Sequence, residues 1–254
     1  MKMTKIAALI TGLLILPGCV IHVGANASSA DVNIEEKLTL NSADIKTLEI
    51  DAGAGFLIVN GNKQATSIDV DADIYTTDDK DYELTLTRKG DKAVLVAKHS
   101  SVRISWGDSP KINVTVSVPD SIALDIDDGS GSIDVNNINS NVDIKDGSGS
   151  LNVKNIQGNL NIDDGSGSLE VANVSGDVEI EDGSGSMFVT DISGSVNVDD
   201  GSGEMVLHHI GGTVVIDDGS GSIEVKDAGG LKITESGSGG VNIKEIRGEV
   251  DVDS

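Results

Sequence analysis

Two hundred and fifty-four residues carry 42 Asp+Glu against 18 Lys+Arg, a formal charge of −24. Phosphate-backbone binding depends on Lys and Arg displacing counterions, so nucleic acid is not an expected partner. The five aromatic residues, Phe56, Tyr75, Tyr82, Trp106 and Phe188, are too few for an aromatic core, and the single Cys excludes an internal disulfide.

Residues 1–18 read as an export signal. Lys2 and Lys5 precede an apolar run, Ile6 to Leu16, of 11 residues, short of the roughly 20 that a membrane-spanning helix needs. Leu16-Pro17-Gly18-Cys19 then resembles a bacterial lipobox, with an aliphatic residue at −3, a small one at −1 and a thiol at +1 to carry diacylglycerol. Pro17 departs from the usual choice at −2. The expected mature chain begins at Cys19 as the lipidation site. Val20 stands where such lipoproteins carry Asp for inner-membrane retention, which implies an outer-membrane destination. Residues 19–30 form a short tether.

Residues 31–126 are a β-rich N-terminal part, with alternating runs at Ser67 to Tyr75, Tyr82 to Arg88, Ala93 to Lys98 and Lys111 to Val118. Within it, Asp51 to Asn60 aligns with Asp127 to Asn136, keeping two Gly and two apolar positions, so a degenerate repeat begins near Leu48.

Residues 127–254 repeat every 18 residues. The turn Asp-Gly-Ser-Gly recurs from Asp128, Asp146, Asp164, Asp182, Asp200 and Asp218, and Ser236-Gly-Ser-Gly239 closes the series of seven. Five apolar positions recur, first as Ile133, Val135, Ile138, Val142 and Ile144. Pairs spaced by two mark strands with one buried face, so each repeat is two short strands and two turns. Gly158, Gly176, Gly194, Gly212, Gly230 and Gly248 mark the second turn. A meander of hairpins needs no constant period. A β-solenoid of stacked 18-residue coils, capped by the N-terminal part, does. In the seventh copy Leu231 and Ile233 fall one position early. A one-residue slip exchanges the faces of a strand, so a bulge or altered turn is expected near Thr234-Glu235, keeping Lys232 in solvent.

The run Val114-Thr-Val-Ser-Val-Pro-Asp-Ser-Ile-Ala-Leu124, followed by Gly-containing strand repeats and preceded by a signal and lipobox, resembles the bacterial adhesin-type family of β-strand-repeat envelope proteins over roughly residues 45–254. The resemblance implies repetitive β-structure at the cell envelope and supplies no catalytic residues.

The turn carboxylates Asp128, Asp146, Asp164, Asp182, Asp200 and Asp218 should stack one coil apart, with Asp127, Asp163, Glu181, Asp199 and Asp217 beside them. Unit charges at about 4.8 Å repel by roughly 0.9 kcal/mol even in bulk water. Either each Asp accepts backbone hydrogen bonds in an Asx-type turn, or the row holds divalent cations such as Ca²⁺, which favours clustered carboxylate oxygens. The turn is not the nine-residue Ca²⁺-binding β-roll motif, because Ile133 stands where that motif places Asp. His208 and His209, adjacent and without Cys, make a weak metal pattern. Phe188 and Val206 occupy outward positions that other copies fill with polar residues and, with Trp106 in the loop Ser105 to Pro110, are candidate partner contacts.

Acidic and Ser residues of the repeats are column members, so none stands out as a catalytic group. The expected function is a non-enzymatic, lipid-anchored envelope protein, adhesin-like, whose acidic repetitive surface contacts an envelope or surface protein or glycan. A cation-binding structural repeat, an envelope sensor and a polysaccharide-active solenoid are the alternatives. Lys244, Glu245, Arg247, Glu249, Asp251 and Asp253 either guard the last coil's edge by charge or accompany end-to-end self-association.

Overall fold

The structure, a computed structural model, describes residues 32–76, 81–99 and 109–253. The export signal, the tether, Cys19 and Trp106 lie outside the described residues. Among those described there is no helix, only strands and the turns that join them.

The repeats form a β-solenoid. Short strands stack in one column: β8 (Val142–Asp146), β10 (Leu160–Asp164), β12 (Val178–Asp182) and β14 (Val196–Asp200). Longer strands stack in a second: β9 (Gly149–Ile156), β11 (Gly167–Val174) and β13 (Gly185–Ile192). Pairing is parallel and offset by one full repeat, as in Leu160 beside Val178 and Leu169 beside Met187. A meander would give antiparallel neighbours. β7 (Ala123–Ile138), β15 (Gly203–Asp218) and β16 (Gly221–Glu235) run through a corner, and β17 (Val241–Ile246) and β18 (Val250–Val252) form the last coil.

All five apolar positions face inward. Leu151, Val153, Ile156, Leu160 and Ile162 are each no more than 1% exposed, and their counterparts above and below continue the same core. The step of three from Val153 to Ile156 breaks the two-residue alternation, and the backbone supplies the reason. Asn155 has φ 62°, as do its equivalents Asn137, Asn173, Asp191, His209, Asp227 and Glu245 within a few degrees. This left-handed residue reverses the side-chain phase inside the long strand. Asn and Asp tolerate that conformation better than other residues with a Cβ.

The glycine after the Ser of each turn meets a different demand. Gly167 has φ +147°, and a Cβ there would lie 1.7 Å from the carbonyl oxygen of Gly149 in the neighbouring coil. No side chain fits between two coils at that corner.

β2 (Thr47–Asn62) is itself a coil. It pairs in parallel with β7 so that Asp51 lies beside Asp127 and Asn60 beside Asn136, the alignment read from the sequence. On its other side β5 (Lys92–His99) covers Thr47 to Ala52, and β6 (Lys111–Pro119) covers Leu57 to Asn62. The pattern then becomes antiparallel: β4 (Tyr82–Lys89) on β5, β3 (Ser67–Thr76) on β6, and β1 (Val32–Asn41) on β3. These strands cap the solenoid at that end.

The seventh copy is irregular as the sequence implies. Val214 pairs with Leu231 and Ile216 with Ile233, but Asp217 pairs with Glu235, leaving Thr234 as the extra residue. Its hydroxyl donates to the carbonyl oxygen of Ile216 at 3.0 Å. Leu231 and Ile233 stay buried, and Lys232 is exposed.

Gly167→Ala should destabilise the chain by more than about 2 kcal/mol through steric strain between coils, whereas Ser168→Ala, at an exposed neighbouring position, should change stability by less than about 0.5 kcal/mol. Urea unfolding of both variants measures this, and equal midpoints would contradict the packing described.

Candidate functional site

Each turn carboxylate lies at the end of a short strand, two residues beyond the last inward aliphatic, as Asp146 follows Ile144. The pleat therefore turns Asp146 into the core and its neighbour Lys145 outward. Asp128, Asp146, Asp164, Asp182, Asp200 and Asp218 are only 1–5% exposed. Adjacent members are ladder partners, as Asp146 with Asp164 and Asp164 with Asp182.

One oxygen of each carboxyl is used locally. Oδ1 of Asp146, Asp164, Asp182, Asp200 and Asp218 accepts the N–H of the Ser two residues on, at 3.1 Å in every coil. This is an Asx-type turn. The other oxygen, Oδ2, is buried without a hydrogen-bond partner in Asp128, Asp146, Asp164 and Asp218. Beyond the row, Ala52 lies beside Asp128 and closes it with an apolar side chain.

Burial disfavours the charged form and the neighbouring carboxyls add to it, so all six groups hold their protons above the ordinary Asp range. Burial, then Asp146, pushes Asp128 up to about 7. Burial, then Asp164 and Asp200, pushes Asp182 up to about 6. Neighbouring carboxyls in the row thus influence one another's titration. Among the described residues, no three His, Cys, Asp or Glu side chains come together in a way that could hold a metal ion.

The carboxylates beside this row point the other way. Asp163, Glu181, Asp199, Asp217 and Glu235 are exposed successive rungs on the short-strand face. Lys145 approaches Asp163 at 4.0 Å, and the Thr234 hydroxyl oxygen lies 3.2 Å from the Asp217 carboxylate. Among the described residues, no Lys or Arg pairs with Glu181 or Asp199. The adjacent outward column runs Glu49, Asp125, Asp143, Asn161, Glu179, Asn197, so amides alternate with acids only beyond Asp143, and Asn161 donates to Asp143 at 3.3 Å. A third column ties coils together: the side chains of Asn141, Asn159 and Asp177 accept the N–H of the equivalent residue in the next coil at 2.8–3.1 Å.

The long-strand face carries mixed chemistry. Phe188 is 39% exposed, lies beside Glu170 and Val206 in its column, and meets His208 edge-on at 6.0 Å. His208 faces Glu224 at 3.2 Å, and His209, at its left-handed corner, faces Asp191 at 3.4 Å. The two histidines therefore engage separate carboxylates. Phe188 and Val206 line a shallow depression with Asn152, Glu170 and Glu204.

Sequence reasoning grouped the two acidic columns as neighbours in one turn. Strand alternation, applied one residue further than the last aliphatic, separates them into a buried row and an exposed one. The left-handed corner column escaped notice because its residue type changes from Asn to Asp, His and Glu. Its signal was the 18-residue recurrence of Asn137, Asn155 and Asn173.

Fold and surface together define a capped parallel β-solenoid repeat protein with an exposed acidic column. The chain belongs to the Toastrack DUF4097 family, whose model matches residues 71–254. Similar solved structures include a protein titled "putative lipid binding protein" from Parabacteroides distasonis, with 16% identity, 83% of this chain and 96% of that one covered, and a TM-score of 0.48. A "putative adhesin" from the same species has 13% identity, 84% and 96% coverage and a TM-score of 0.39. A "putative cell adhesion protein" from Clostridium sporogenes has 13% identity, 87% and 98% coverage and a TM-score of 0.32. No curated protein is matched by the sequence.

The buried row makes stability depend on pH. These carboxyls bind protons more tightly folded than unfolded, where the ordinary value is 3.8. The contribution of Asp128 and Asp182 is fully present below that value and is lost as pH rises through about 6 to 7. The melting temperature should therefore fall between pH 5 and pH 8. Asp182→Asn should stabilise the chain at pH 8 by about 1–3 kcal/mol and flatten the profile, while Glu181→Gln next to it should leave the slope nearly unchanged. Thermal unfolding across this range checks it, and stability rising from pH 5 to pH 8 would contradict the burial described.

Proposed function

We propose that this chain is a non-enzymatic, lipid-anchored protein of the cell envelope, adhesin-like in that its repeated face, rather than a pocket, makes contact with a partner. The observation that carries this reading is the exposed column Asp163, Glu181, Asp199, Asp217 and Glu235. It offers carboxylates at one coil spacing, about 4.8 Å, and leaves their charge mostly unpaired within the chain. A partner with cationic groups repeated along its length could neutralise several rungs at once. Linked weak contacts then add to a tight interaction.

Attachment is assigned to Cys19, the thiol that ends the lipobox Leu16-Pro-Gly-Cys19. The tether at residues 19–30 would join the anchor to the capped end of the solenoid and leave the acidic column clear of the membrane. The two acyl chains of the diacylglycerol each contribute about 0.8 kcal/mol for each buried methylene, and two chains suffice for stable anchoring.

Two experiments test the reading. Replacing Asp163, Glu181, Asp199 and Asp217 by their amides should weaken binding to a poly-lysine surface at least tenfold. A control with the same net charge, carrying Glu35→Gln, Glu83→Gln, Glu204→Gln and Glu245→Gln, should lose less than threefold. Equal losses would show that net charge alone is responsible and would overturn the assignment of the column. Separately, the unaltered chain should sediment with membranes and Cys19→Ser should release it to the soluble fraction. An unaltered chain found soluble would overturn the anchoring.

A further inference from the structure

The two ends of the solenoid are unlike. At one, β5 and β6 cover β2 and the capping strands turn antiparallel. At the other, β17 and β18 pair on one side only, with β16. Among the described residues nothing pairs with their outer edges. The inward residues of this coil are correspondingly bare: Val241, Val250 and Val252 are 39%, 49% and 41% exposed, against 1%, 2% and 0% for Ile223, Leu231 and Ile233 directly beneath them. Ile243 and Ile246 are only partly buried. The cross-section of the core is thus presented to solvent together with two rows of unpaired backbone groups, an arrangement that invites strand addition.

We infer that this edge is the interface of a two-fold dimer with a second copy of the chain, β17 of each copy pairing antiparallel with β18 of the other. The capped end offers no matching coil edge, so head-to-tail stacking lacks a partner surface. A two-fold contact between like ends closes on itself.

The charges select between the two ways of bringing like ends together. β17 carries Lys244, which is exposed and forms no ion pair among the described residues, whereas β18 is flanked and filled by Glu249, Asp251 and Asp253. Pairing β18 with β18 of the second copy opposes Asp251 to itself. Pairing β17 with β18, with Ile243 opposite Val250 of the second copy, places Val241 opposite Val252, Asn242 opposite Asp251 and Lys244 opposite Glu249. Inward residues then meet inward residues, and the cation meets a carboxylate. Opposite charges directly across a strand pair are favourable, and like charges are not.

Site-specific cross-linking tests this. In full chains carrying Cys19→Ser to remove the native thiol, Asn242→Cys and Asp251→Cys are introduced singly. Mixing the two variants under mild oxidation should give a covalent dimer, and neither variant alone should. Asp251→Cys cross-linking to itself would overturn the pairing, and absence of any dimer would overturn the interface, as would a cross-link to a different protein in intact cells. Sedimentation without cross-linking provides a second measurement. Lys244→Glu should raise the dimer dissociation constant at least fivefold, and Lys244→Glu combined with Glu249→Lys should restore it. An unchanged constant in Lys244→Glu would contradict the charge pairing.

Discussion

Most side chains in this solenoid are stacked on their own counterparts. Parallel, in-register pairing at one strand spacing places residue i against residue i+18 in all the regular copies, so any property of a position is multiplied along the axis. Aliphatic columns gain from this at once, because Leu, Ile, Val and Met pack on one another and continue a single core across coils. Columns with special backbone requirements become rigid conditions instead. The corner glycine cannot acquire a side chain in one coil without striking the carbonyl of the coil beside it. The left-handed residue of the long strand must recur wherever the following aliphatic is to point inward.

Charge is where stacking works against the molecule, and the chain handles it in three ways. Buried Asp residues hold their protons above the ordinary Asp range and use one oxygen to hold the turn. Beyond Asp143, the adjacent outward column interleaves acids with amides. The Asp163 column leaves its carboxylates to solvent, and that unneutralised row gives the molecule its most distinctive surface. The acidity is thus split by the pleat into an interior component that responds to pH and an exterior component available to a partner. Substitutions in one column should not mimic substitutions in the other, although their residues are adjacent in sequence.

Much of the solenoid was legible because its information is local and repeated. Spacing identified the five inward positions, the alignment of Asp51 to Asn60 with Asp127 to Asn136 gave the actual register of β2 on β7, and the early placement of Leu231 and Ile233 located the bulge at Thr234. The direction of Asp128 and its equivalents was harder to read. The Asp-Gly-Ser-Gly motif suggests a turn, yet its first residue completes the preceding strand. Pairings in the cap were not legible. β1 joins β3 and β2 joins β5 through contacts between distant segments that no period announces.

The central claim is that the 18-residue coil, locked in register to its neighbours, is the unit of both folding and surface. Deleting residues 167–184 removes one complete coil and joins equivalent positions, while deleting residues 167–175 removes half of one and reverses the faces that meet. Circular dichroism with thermal unfolding compares them directly. The whole-coil deletion should retain β-structure and a cooperative transition, and the half-coil deletion should lose both. Equal tolerance of the two deletions would contradict the account.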